Sequence, residues 1–327
     1  MTGSVPLPGP GLALGPGPEF DRIRKIIRLL GPQGNGLGDD CGLFPEGDEF
    51  VAVSTDVSVE GVHFRREWIS LEETGWRAAA SALSDLAAEG AEAIGLLCAV
   101  TVPANASEPE LLQLMAGVSG AAGAAGSKVL GGDLASGPGW SVAVTVVGRT
   151  RAPVTRGGAQ PGDRLWVTGA LGGARAALEA WLLGREPLPG ARARFAHPEP
   201  RLEAGRWLAR HGARAMIDLS DGLGGDVGHL AAASQVAVEI DLDSVPVTPE
   251  AEEEAKRLGI RVQQFAAEGG EDYELLVALP DRFAEADGFV SECGIPLTPI
   301  GKAAEGSGVI FLLSRRPIEL KGFNHFG

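Results

Sequence analysis

The run Val51-Ala52-Val53-Ser54-Thr55-Asp56, together with Ala78-Ala79-Ala80-Ser81-Ala82-Leu83-Ser84-Asp85-Leu86-Ala87-Ala88, decides how the chain is read. The first is an apolar strand that closes on a carboxylate. The second is a helix that is small and apolar on nearly every side and still carries an aspartate. Working outward, strand-like runs at 50–54, 94–102, 129–130 and 141–147 alternate with alanine-rich helical stretches at 71–89 and 108–125. An amphipathic helix precedes them, with Phe20, Ile23, Ile26, Ile27 and Leu30 at helical spacing and Gly31-Pro32 as its stop. The segment 151–163, with Gly157-Gly158 and Pro161-Gly162, reads as a connection. Beyond it the alternation resumes, with strands at 165–167, 215–219, 236–242 and 275–279 and helices at 174–183, 200–210 and 223–233. Two α/β or α+β domains are expected, one over 19–150 and one over 151–327, behind a Gly/Pro-rich tail at 1–18 that sustains neither helix nor ladder.

Charge and composition exclude several classes. The 327 residues hold 43 acidic against 28 basic side chains, a net charge of −15, which disfavours a nucleic-acid partner. No stretch approaches the ~20 uninterrupted apolar residues of a membrane span, and no basic region followed by an apolar core marks a signal peptide. The three cysteines, Cys41, Cys98 and Cys293, form no C-x-x-C pair, so neither a disulfide framework nor a zinc site is expected. A cytoplasmic protein is the default.

The placement of the aspartates carries the chemistry. Asp39 and Asp40 lie in Gly38-Asp39-Asp40-Cys41-Gly42, Asp56 and Asp133 are expected at strand ends, and Asp218 and Asp221 bracket the exit of a strand in Ile217-Asp218-Leu219-Ser220-Asp221-Gly222. Ligands of α/β sheets collect beyond the carboxyl ends of strands. Each such Asp or Gly also serves as a turn former or cap. Asp85, inside a helix, does not, and no nearby surplus of Lys or Arg is expected to neutralise the set. Clustered carboxylates without cationic partners suit Mg²⁺, which binds through carboxylates, water and substrate phosphates. The doublets Gly131-Gly132 and Gly269-Gly270 allow backbone N–H groups to approach phosphate oxygens. The P-loop, the dinucleotide fingerprint, and the kinase, zincin and nucleophile-elbow signatures are all absent.

In this order, Gly38-Asp39-Asp40-Cys41-Gly42, Ser54-Thr55-Asp56, Val59-Glu60-Gly61-Val62-His63-Phe64, Leu83-Ser84-Asp85-Leu86-Ala87-Ala88, Gly131-Gly132-Asp133, Thr155-Arg156-Gly157-Gly158-Ala159, Ile217–Gly222, Gly269-Gly270-Glu271-Asp272-Tyr273-Glu274-Leu275 and Lys321-Gly322-Phe323-Asn324-His325-Phe326 resemble the thiamine-monophosphate kinase family of the aminoimidazole-ribonucleotide-synthetase-like superfamily. The resemblance implies an N-terminal α/β domain, a C-terminal α+β domain, and a homodimer built through the N-domain sheets. It implies ATP-dependent phosphorylation of thiamine monophosphate to thiamine diphosphate, the last step of that biosynthesis, with several Mg²⁺ ions. By position, Asp40, Ser54, Thr55, Asp56, Asp85, Asp133, Asp218 and Asp221 would hold metal. Gly132, Asp133, Arg156 and Ser220 would contact ATP, and His63, Glu271 and Phe323 the thiamine substrate. The acceptor is itself a phosphate oxygen, so no general base is expected.

The chain departs from the family pattern at Ala82 (commonly Asn), Leu134 (commonly Thr) and Phe323 (commonly Tyr or Trp). Other superfamily members are the nearest alternatives. A selenophosphate synthetase would carry a reactive Cys in a glycine-rich N-terminal loop, and the tail before Cys41 has none. A hydrogenase-maturation dehydratase ends in a functional Cys, whereas here Cys293 lies far from the terminus. A non-catalytic nucleotide-binding module is the alternative from another class.

Overall fold

The computed structural model describes residues 11–320 and Gly322. Its first half contains α1 (Pro18–Leu30), β1 (Gly42–Glu46), β2 (Glu49–Val59), α2 (Leu71–Ala88), β3 (Glu92–Pro103), α3 (Glu108–Ala124), β4 (Val129–Gly137) and β5 (Ser141–Thr150). The five strands form one sheet in the order β1-β2-β5-β3-β4, antiparallel except for the β3–β4 pair. Strand alternation sends Ala52, Val142, Val144, Val146 and Leu96 to an inner face, where all are fully buried beneath α2 and α3. The outer face leaves Val57 (48% exposed) and Leu97 (41%) open.

Helix α2 is the axle of the molecule, with 14 of its 18 residues buried. Its start is set by a capping box: Ser70 Oγ accepts the Glu73 N–H (3.2 Å) and Glu73 accepts the Ser70 N–H (2.8 Å). Small residues let neighbours approach closely. A Cβ on Gly75 would lie 1.9 Å from the Leu114 carbonyl oxygen, and one on Gly117 would lie 1.8 Å from that of Glu72. Gly117→Ala is therefore expected to destabilise the protein by about 3 kcal/mol through forced separation of α2 and α3. Urea unfolding measures this, and an unchanged midpoint would contradict the packing.

The second half contains β6 (Arg164–Thr168), α4 (Gly173–Leu182), α5 (Pro189–Ala196), α6 (Leu202–Arg210), β7 (Ala215–Asp218), α7 (Leu223–Ser234), β8 (Ala237–Asp241), α8 (Pro249–Leu258), α9 (Val262–Ala267), β9 (Leu275–Leu279), α10 (Ala286–Cys293), β10 (Leu297–Ala304), β11 (Gly308–Leu313) and β12 (Arg316–Ile318). Seven strands pair in the order β12-β11-β8-β10-β6-β9-β7, with only β11–β8 parallel. Every residue of β9 is buried, as its uninterrupted Leu-Leu-Val-Ala-Leu sequence requires. Mixed sheets with attached helices in both halves give the expected two-domain α/β and α+β architecture.

Two expectations about strands need correction. Asp56 does not end its strand, because β2 continues to Val59 and Asp56 pairs with Val144. Asp133 lies inside β4 opposite Ala99, because the ladder with β3 runs on to Gly137. Of the tail, residues 1–10 and its Gly/Pro reading lie outside the described residues. The part from 11 to 17 packs on the protein, with Arg24 Nη1 donating to the carbonyls of Leu14 (3.2 Å) and Gly15 (2.8 Å).

Candidate active site

A cavity of about 640 Å³ opens between the two halves. Three carboxylates converge in it. Asp40 comes from the loop before β1, Asp85 from α2 and Asp218 from the end of β7, and each offers an oxygen within 4.8 Å of the others. Each position follows from local structure. Gly38, with a φ of 115°, turns the chain so that Asp39 and Asp40 enter the interior. Helical spacing puts Arg77, Ser81 and Asp85 on one face of α2, and all three line the cavity. Gly222 (φ 96°) lets the 220–222 turn lie against Gly269, whose carbonyl oxygen would sit 2.5 Å from an added Cβ.

Electrostatics sharpen the picture. Burial, followed by Asp56, Asp218 and Asp40, pushes the Asp85 carboxyl well above its ordinary range. Burial and Asp40 raise Asp218 to about 8, and burial and Asp40 raise Asp39 to about 7. Ser54 Oγ donates to Asp85 at 2.5 Å, the main local contact that holds its charge. Hard oxygen donors crowded at this spacing fit a divalent cation such as Mg²⁺, which would relieve the repulsion.

The expectation that no cation neutralises the acids is overturned at one member. Arg156 forks onto Asp40, Nη2 at 2.5 Å and Nε at 3.1 Å, and its backbone N–H donates to Asp39 at 3.0 Å. The glycine-rich segment around 155–158 brings that arginine in from the second half, which the linear spacing hides. Among the other expected residues, Asp40, Ser54, Thr55, Asp56, His63, Asp85, Arg156, Asp218, Ser220, Asp221 and Glu271 all line the cavity. At the cavity's edge the Asp221 backbone N–H donates to the Asp226 carboxylate at 3.1 Å. Nδ1 of His63 accepts the Val59 N–H at 3.0 Å, so in the neutral ring Nε2 bears the proton.

Gly132 and Asp133 stand apart from the cavity, and Thr55, though it lines it, turns its hydroxyl elsewhere. The Thr55 hydroxyl faces away from Ser54 and pairs with Thr145 at 2.7 Å, as strand alternation demands. Through the register Val57–Ala143–Ala99–Asp133, Asp133 shares that outer face. Gly132 and Asp133 are exposed on the edge strand β4 and do not line this cavity. Phe323 lies outside the described residues. Of the departures, Ala82 is fully buried and Leu134 is 60% exposed.

Sequence reading missed several lining groups, among them Arg77, Trp68, Arg175 and Tyr273. For Arg77 a signal existed, since it precedes Asp85 by two helical turns. The others depend on tertiary contact. Near the cavity, Asp272 is structural: both its oxygens accept the Gly172 N–H (3.0 and 2.8 Å). Glu274 is fully buried on Thr168 Oγ1 (2.7 Å) and Arg201 (2.6 and 2.8 Å).

Fold and cleft together define a protein of the AIR synthase related class: the model of the N-terminal domain of AIR synthase related proteins matches residues 38–150, and that of the C-terminal domain matches 160–313. Thiamine-monophosphate kinase of Mycobacterium tuberculosis is 32% identical over 94% of this chain and 92% of its own length. That of Escherichia coli K12 is 35% identical over 94% and 95%. The structure of AaThiL complexed with AMPPCP and TMP superimposes with a TM-score of 0.85 at 31% identity, covering 94% of this chain and 97% of that one. The chain belongs to the thiamine-monophosphate kinase family. The hydrogenase maturation protein HypE in complex with ATP shares the fold, with a TM-score of 0.71 at 17% identity. Among the described residues no helix is long and apolar enough to cross a membrane.

Proposed function

We propose that the protein transfers the terminal phosphoryl group of ATP directly to the phosphate of thiamine monophosphate. The observation that carries this reading is the convergence of Asp40, Asp85 and Asp218 in an interdomain cavity. A phosphate oxygen of the acceptor is already deprotonated at neutral pH. It attacks the γ-phosphorus in line, the bond from that phosphorus to the β,γ-bridging oxygen breaks, and ADP and thiamine diphosphate leave. Catalysis then needs alignment and charge neutralisation rather than proton transfer.

Mg²⁺, when bound by Asp40, Ser54, Asp56, Asp85, Asp218 and Asp221, would add positive charge to that of the lining arginines in an acidic cleft. Arg156 and Ser220 serve the ATP phosphates. His63, with its Nε2 proton, and Glu271 serve the thiamine moiety, and Phe323 offers it a ring face. Glu271, a carboxylate on the cavity wall, has the right sign of charge for a cationic ring. The test is an acceptor series: ADP release should depend on thiamine monophosphate and not occur with thiamine. ADP release that is indifferent to acceptor would contradict the reading.

We further propose that the working protein is a homodimer closed over the outer face of the five-stranded sheet. Exposed Val57, Leu97 and Thr55 share that face with Asp133, and β4 leaves a free edge. A second copy seated there accounts for an apolar face in water. It also accounts for the assignment of Gly132 and Asp133, which do not line this protomer's cavity, to the site. Leu97→Glu is expected to halve the mass seen by light scattering and to lower turnover with it. A fully active monomer would contradict this.

A further inference from the structure

Arg77 lines the cavity without a part in the proposed transfer. It is a charged side chain only 4% exposed, carried by α2 of the first half and directed at a loop of the second. Burial draws its guanidinium below its ordinary pKa, so the fold holds a charge there at a cost. Two contacts fix its plane. Nη1 donates to the Phe195 carbonyl at 2.7 Å, and the guanidinium carbon stacks 3.9 Å from the centre of the Phe195 ring. With one edge so anchored, Nη2 makes an ion pair with Glu271.

Glu271 itself is held in an uncommon conformation. Its φ is 67°, a left-handed value in a residue other than glycine, and that of Tyr273 is 51°. The backbone keeps this shape through Glu271 N–H to the Ser220 carbonyl (2.7 Å) and Tyr273 N–H to that of Leu219 (2.9 Å). Neighbouring Asp272 and Glu274 are tied off elsewhere on Gly172 and Arg201. In the run Glu271-Asp272-Tyr273-Glu274, Glu271 is the carboxylate that lines the cavity, and Arg77 is its cationic partner.

We propose that Arg77 is a positioning residue: it fixes the carboxylate of Glu271 at the substrate end of the cavity and thereby sets affinity for the phosphate acceptor. This rests on the assignment of Glu271 to the thiamine substrate made above. The alternative role is a plain structural tie between α2 and α5. The two differ in what a conservative change does. Lysine at this position keeps the charge and loses the fork and the stacking plane, so Glu271 keeps a counter-ion without a fixed direction.

The experiment compares wild type, Arg77→Lys, Glu271→Gln and the double variant in steady-state kinetics, with amide hydrogen exchange of 269–273 in the absence of substrate. Arg77→Lys is expected to raise KM for thiamine monophosphate about tenfold while leaving KM for ATP unchanged and kcat within a small factor. Exchange across Gly269–Asp272 should quicken. In the double variant, Arg77→Lys should add nothing to the KM of Glu271→Gln. Equal KM values for the acceptor, fully multiplicative effects in the double variant, or unchanged exchange would each overturn the proposal. So would a lowered melting temperature with both KM values intact, which is the signature of a structural tie. If Arg77→Lys does not fold, Arg77→Gln, which retains a donor for the Phe195 carbonyl, carries the same expectations. Failure of the functional reading is separate, because it shows as wild type making no diphosphate, and the exchange experiment still decides the positioning role.

Discussion

Asp85→Asn is expected to reduce turnover by about three orders of magnitude or more while raising the melting temperature of the metal-free protein. The two effects share a cause. Asp85 sits on a helix whose neighbouring residues Leu83, Ser84, Leu86 and Ala87 are all fully buried, and its carboxyl is driven upward by burial and by Asp56, Asp218 and Asp40. Asparagine keeps the acceptor for the Ser54 hydroxyl, now 2.5 Å from Asp85, and removes the repulsion. It also removes a charge from the set that would hold Mg²⁺. On the proposed metal role, function and stability should pull apart at this residue. Asp56→Asn, on the same inner face, should likewise abolish turnover with the fold intact. Calorimetry beside a turnover assay checks both. Retained activity, or a lower melting temperature for Asp85→Asn, would contradict the metal role.

Removing Mg²⁺ should make the protein pH-sensitive in a defined direction. Asp218 has an ordinary pKa of 3.8, raised to about 8 in the folded protein by burial and Asp40. Below about pH 4 the group is protonated in both states and carries no penalty. As pH rises from about 4 to about 8, the unfolded chain gives up its proton and the folded one retains it, so stability falls. Above about 8 the full penalty, on the order of 5 kcal/mol for a group 3% exposed, is in place. Asp39, raised to about 7, acts in the same sense. In EDTA the melting temperature should therefore drop by about 10 °C between pH 5 and pH 8. If Mg²⁺ is held by the folded, deprotonated cluster as proposed, it should restore much of that loss, with proton release at neutral pH. A flat profile in EDTA, or Mg²⁺ acting equally at pH 5 and 8, would contradict the electrostatic account.

Much of this site was legible before the structure because its residues sit in short, ordered blocks whose chemistry is local. Asp40, Asp85 and Asp218 stand in three separate sequence blocks, and the fold brings their carboxylate oxygens within 4.8 Å of one another. What the chain hid is what depends on pairing. The apolar run at Val51 stops at Ser54 in pattern, yet the strand continues to Val59 because β5 offers partners that far. Polar residues inside a strand look like the loop after it. The same ladder logic turned Asp133 onto the outer face, where no pattern of hydrophobicity marks it. Arg156 and Arg77 reach the cavity from opposite halves, so the counter-charges of Asp40 and Glu271 were invisible to spacing along one segment. Helices α5 and α10 have only 8 residues each, too few for a clear periodicity, and in α8 a run of Glu masks the amphipathic face.

On the proposed function, the acidic interdomain cleft moves a phosphoryl group onto an acceptor phosphate. Phosphorus NMR of the purified protein with ATP, thiamine monophosphate and Mg²⁺ tests it most directly. One thiamine diphosphate should appear for each ADP, with no inorganic phosphate, and the reaction should stop on addition of EDTA. ADP and inorganic phosphate forming without thiamine diphosphate, or ATP binding with no turnover at all, would contradict it.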